Sequence, residues 1–149
     1  MRILSILVML FFTLLTDVSA QSKPSLERWV GKYPSDKIPL TGYDLWRTKQ
    51  VSLWISDVLP IAERNVLAKL RVESRIEKHG SFLVINVCQP HDCSAELATA
   101  FIDTEGNRLW IAMARRDEKR LSVRWYSGKD PYTFIPVELQ RLFTNRLGE

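Results

Sequence analysis

Part-way along this chain the spacing of apolar residues changes from helical to strand-like, and that change restricts the fold more than any other feature. Val51, Trp54, Ile55, Val58 and Leu59 recur at helical spacing, with Leu45 and Trp46 a turn or more earlier. They predict a helix from about Asp44 to Val58. Pro60 ends it and opens a shorter one carrying Ile61, Ala62, Val66 and Leu67. From Ala68 the period is two. Ala68, Leu70, Val72, Ser74 and Ile76 alternate with charged residues, as in a strand with one face in water.

Further strands are expected at Phe82 to Val87, Glu96 to Asp103, Arg108 to Ala114, and around Leu121, Val123 and Trp125. Lys78-His79-Gly80 and Thr104-Glu105-Gly106-Asn107 supply turns. Pro136 then opens a last helix with Leu139, Leu142, Phe143 and Leu147 on one face. About five strands joined by short turns predict an antiparallel meander with helices packed on one face, an α+β domain.

The densest apolar stretch lies at the start. Met1-Arg2 is followed by Ile3 to Leu15, interrupted only by Ser5 and Thr13, and then by Val18-Ser19-Ala20. Thirteen helical residues cover roughly 20 Å, short of a bilayer's ~30 Å core. Residues 1–20 are therefore expected to be a secretory signal cut after Ala20, leaving 21–149 as one exported, periplasmic domain. A retained membrane anchor is the weaker reading. The formal charge of +4 survives removal of Arg2 and Asp17, and is too small to identify a partner. Export also argues against nucleic acid as a partner, and no stable membrane insertion is expected of the mature chain.

Cys88 and Cys93 are the only cysteines, and Gln89-Pro90-His91-Asp92 lie between them. In an oxidising compartment two thiols this close should pair. A ring this small stabilises the fold by only roughly 2 kcal/mol, so its value lies in shaping a loop. Pro90 fixes its own φ and pushes Gln89 toward an extended conformation. His91 and Asp92 would then be held at the tip. The same residues also fit a turn that satisfies itself, with Asp92 accepting backbone N–H groups and His91 in solvent.

Other chemistries fit worse. A thioredoxin-like site needs two residues between its cysteines, at a helix start. A zinc site needs three or four ligands; His91 with two thiolates could supply three, but export favours the disulfide and His79 is the only other histidine. An oxidised cysteine cannot be a nucleophile. The sequence calls for no enzyme, cofactor or metal. A loop presenting an imidazole suits a cleft containing paired acids, such as that of a glycosidase.

Cys88-Gln89-Pro90-His91-Asp92-Cys93, set between two apolar strands, resembles the C-K-P-H-D-C loop of the Ivy family, periplasmic inhibitors of vertebrate (C-type) lysozyme. The resemblance implies a loop that enters the lysozyme cleft like a key. His91 would hydrogen-bond the catalytic carboxylates and Asp92 the polar groups around them. The disulfide would fix the loop and Pro90 would stiffen it. Gln89 stands where that motif has Lys, removing one positive charge. The resemblance also admits the cell's own lytic transglycosylases as targets, and either a monomer or a homodimer. An independent alternative is a non-inhibitory module for peptidoglycan or another anionic envelope polymer, using the basic run Arg115, Arg116, Lys119, Arg120 and Arg124.

Overall fold

The computed structural model describes residues 25–39, 42–118, 120–128 and 134–148. The expected signal, its cut after Ala20 and Lys119 of the basic run lie outside the described residues.

Four strands form the meander: β3 (Phe82–Cys88), β4 (Glu96–Asp103), β5 (Arg108–Asp117) and β6 (Arg120–Tyr126). Two short strands, β1 (Val72–Glu73) and β2 (Glu77–His79), both pair with β3, completing a six-stranded antiparallel sheet. Only Val72–Glu73 of the expected first strand joins the sheet, and β2 takes in Lys78 and His79, which were expected in the turn, leaving the turn itself at Gly80 and Ser81. At the break, Ile76 turns its backbone to the N-terminal segment: its N–H donates to the Lys32 carbonyl, and its carbonyl accepts from Gly31 N–H, both at 2.8 Å. Arg75 reinforces this contact, donating to the Gly31 carbonyl at 2.7 Å while its guanidinium lies over the Tyr33 ring. Period two overstated this strand: Val72 is exposed and Glu73 half-buried, and a backbone partner far away in sequence competes for Ile76.

The first predicted helix is also divided. A 3-10 turn (Leu45–Arg47) precedes α1 (Lys49–Val58), and Thr48 between them is extended. Asp44 Oδ1 accepts the Arg47 N–H at 2.9 Å, and the Thr48 hydroxyl donates to the Leu45 carbonyl at 2.8 Å. Both side chains offer the backbone local alternatives to a continuous helix. Pro60 leads into α2 (Ile61–Leu67), and Pro136 into α3 (Val137–Leu147), as their positions in the sequence imply.

Helices cover both faces of the sheet, not one. Leu83, Ile85, Val87, Ala100, Ile102 and Ile111 face the N-terminal turns, α1 and α2. Val84, Phe101, Trp110, Ala112 and Ala114 face Leu139 and Phe143 of α3. The sign of this was in β5, where Leu109 to Ala114 are buried without interruption. A strand covered on both sides reads as a continuous apolar run, unlike the alternating stretch from Ala68 to Ile76. The α3 side is built on aromatic contacts: Trp125 stacks on Phe101 and meets Phe143 edge-on, with ring centroids 5.8 and 5.5 Å apart. Such pairs add about 0.5–1.5 kcal/mol beyond the area they bury. Trp29, at 0% exposure, fills the opposite core.

Candidate functional site: the disulfide-closed loop

The end of β3, the start of β4 and the end of β5 meet at one end of the sheet. Cys88 is in register with Leu97, and Glu96 with Arg115. Beyond the last β3–β4 pair, Gln89 N–H still donates to the Glu96 carbonyl at 2.9 Å. Cys88 and Cys93 are joined by a disulfide, with Cα atoms 4.9 Å apart. The loop therefore stands on a base held by both backbone pairing and a covalent link.

Above that base the chain makes a tight turn. Asp92 N–H donates to the Gln89 carbonyl at 3.3 Å, with Pro90 second in the turn and His91 third at φ 68°. Proline followed by a residue of positive φ marks a type II turn, in which Gly or Asn usually takes the third place. A histidine is held there by its surroundings. Asp92, the next residue, binds the chain that follows it. Its Oδ1 accepts the Ser94 hydroxyl at 2.7 Å, Ala95 N–H at 3.0 Å and Ser94 N–H at 3.1 Å. The Ser94 hydroxyl bond, the two backbone bonds and the positive field of Arg116 hold the Asp92 carboxyl below its ordinary range.

The candidate residues thus divide by role. Gln89, His91 and Asp92 are exposed and Pro90 is half-buried. Asp92 satisfies its own loop, as the self-contained turn reading expects. His91 is exposed, and its ring makes no hydrogen bond among the described residues. Ser94, Ala95 and Glu96 were not foreseen as parts of the site. The Asp-x-Ser spacing was the available signal for the first of these.

The basic run is partly neutralised. Arg115 reaches Glu96 at 2.6 Å, and Arg124 reaches Glu63 at 3.6 Å. Tyr126 shares Glu63 with Arg124, and burial followed by that carboxylate pushes its hydroxyl pKa up. His79 lies half-buried at the end of β2, with Nε2 3.1 Å from Glu77 Oε2. Among the described residues, no group of three or more His, Cys, Asp or Glu side chains stands where it could hold a metal ion.

A family model described as "Inhibitor of vertebrate lysozyme (Ivy)" matches residues 54–149, a span that takes in the whole sheet, the loop and α3. The chain belongs to the Ivy family. A comparison with curated proteins finds no match. Ivy membership makes lysozyme the partner to which the chain is assigned and inhibition its role, consistent with a protein that performs no chemistry of its own. In this Ivy chain the Cys-bounded hexapeptide is a closed, outward-facing loop, and the cysteines are bonded to each other, leaving neither as a thiolate ligand.

Proposed function

We propose that this protein, exported to the periplasm, inhibits lysozyme by inserting the Cys88–Cys93 loop into the active-site cleft. His91 would be the group that meets the catalytic acids. The observation that carries the reading is the position of His91: exposed, at the apex of a covalently closed turn, with its ring uncommitted. Glycosidases hold two carboxyl groups across the scissile bond, one of them protonated. A neutral imidazole can accept from the protonated acid and donate to the ionised one, and an imidazolium can donate to both. Because the loop is already shaped, docking it orders few side chains, which favours affinity. Asp92 would fix that shape through Oδ1 and turn its other oxygen toward polar groups of the cleft, while Gln89 and Pro90 would pack against the cleft wall.

The envelope-polymer reading is less well supported, since Arg115 and Arg124 are engaged by carboxylates. The test is a panel of C-type, G-type and I-type lysozymes and a lytic transglycosylase, assayed on peptidoglycan with the parent and with His91→Ala. Inhibition of a C-type lysozyme that falls by about thirtyfold or more in the variant is expected, as for an interface hot spot. Equal inhibition by parent and variant would overturn the mechanism. Inhibition confined to the transglycosylase would move the target.

A further inference from the structure

Beside the loop lies a groove of about 440 Å³, bounded by β1, the loop base, the start of β6 and the end of α3. Val72, Leu97, Leu121 and Leu147 line it together with the disulfide. Val72 is 42% exposed and Leu121 38%, leaving much aliphatic surface in water. Arg116 is on the same wall and directly opposite Leu121 in the β5–β6 ladder, so a cation and an apolar side chain stand together. Arg116 makes no ion pair among the described residues, and its field falls on Asp92 of the loop. Gln89 is neutral, and Arg116 places a positive charge beside the loop; Arg146 and the carboxylate of Glu73 also line the groove.

We propose that this groove is a second contact with the same lysozyme, receiving a protruding segment at the lip of its cleft that presents an apolar side chain next to a carboxylate. The inference rests on the loop-insertion reading. Three arguments favour that occupant. Half of a six-residue loop reaches at most about 10 Å, so a partner engaged at His91 stands over Cys88 and Cys93, which also line the groove. A specific complex buries about 800 Å² on each partner, more than a single tight turn offers, so surface flanking the loop must be covered as well. Finally, a guanidinium without an ion pair at the edge of an apolar recess is matched by a carboxylate beside an apolar group.

The test is binding kinetics of a vertebrate C-type lysozyme with the parent, His91→Ala, Arg116→Glu and Leu121→Asp. Arg116→Glu and Leu121→Asp are each expected to weaken Kd by about tenfold. For Arg116→Glu the loss should lie mainly in the association rate and shrink in high salt. If His91→Ala weakens binding while both groove variants bind like the parent, the groove is not a contact and the loop reading stands. If none of the three weakens binding, the loop reading fails and the groove falls with it. Should Leu121→Asp fail to fold, Leu121→Ala, which leaves the charge beside the loop unchanged, takes its place.

Discussion

Arg115 and Glu96 sit directly opposite each other in the β4–β5 ladder, and the guanidinium donates to one carboxylate oxygen from both Nε, at 2.8 Å, and Nη2, at 2.6 Å. Glu96 is also the residue whose carbonyl receives Gln89 N–H at the loop base. One carboxylate residue therefore ties the basic strand to the foot of the loop. A cation that looks available to an anionic polymer in the sequence is committed within the fold.

Glu96→Gln should cost less than about 1 kcal/mol, because Arg115 is more than half exposed and such pairs are screened. Urea unfolding of parent and variant measures it, and the difference should narrow in high salt. The same variant frees Arg115, so retention on peptidoglycan sacculi should rise. Unchanged retention would mean that the basic strand does not meet the polymer.

His91 separates loop shape from ring chemistry. Its side chain is exposed, so His91→Ala should change stability by no more than about 0.5 kcal/mol. His91→Gly should be more stable than His91→Ala by about 0.5–1 kcal/mol, because the position has φ 68°. Both variants should lose inhibition. Retained inhibition in His91→Gly would show that the loop acts by shape alone.

Reducing and alkylating Cys88 and Cys93 should lower stability by only about 2 kcal/mol, given the small ring. The sheet should survive this in circular dichroism. Inhibition should fall much further than stability, since the turn would have to be ordered during docking. Equal losses of fold and inhibition would make the disulfide a staple of the fold.

The α3 face offers a test of the two-sided core. Phe143 is 2% exposed and meets Trp125 edge-on. Phe143→Ala should cost about 3–5 kcal/mol, read as a shift of the urea midpoint. A loss below 1 kcal/mol would mean that α3 is only loosely attached.

Much of this arrangement was legible in the sequence. The helices after Pro60 and Pro136, strand β4 and the closed loop follow from proline placement, period and cysteine spacing. The split at Ile76 was not legible, because its partners Gly31 and Lys32 are distant in sequence and act through backbone groups. The break at Thr48 was partly legible, since Asp and Thr compete locally for backbone bonds. The one-face expectation came from the alternation at Ala68 to Ile76, whereas the uninterrupted run Leu109 to Ala114 carried the opposite message. At the site, the exposed His91 was foreseen. The inward use of Asp92 Oδ1 was foreseen only as an alternative, because whether a carboxylate turns to its own backbone or to a partner depends on the φ and ψ of the residues after it.

Asp92 also sets how the loop responds to acid. Its carboxyl is held below the ordinary aspartate range, first by the Ser94 hydroxyl and then by backbone N–H groups and Arg116. A carboxyl whose folded pKa is depressed contributes stability that is complete above its unfolded pKa and is lost as pH falls through the folded one. The loop should therefore keep its shape from neutral pH down through the range where an ordinary aspartate titrates, and loosen only in stronger acid. Chemical shifts of the Ser94 and Ala95 amides report this directly, because both N–H groups donate to Asp92 Oδ1. Their midpoint should lie below that of an exposed reference aspartate. In Asp92→Ala the transition should vanish and inhibition should weaken at every pH, with His91 still in place. A midpoint at or above the reference would mean that the carboxylate does not hold the turn, and the rigidity required for insertion would have to come from the disulfide and Pro90 alone.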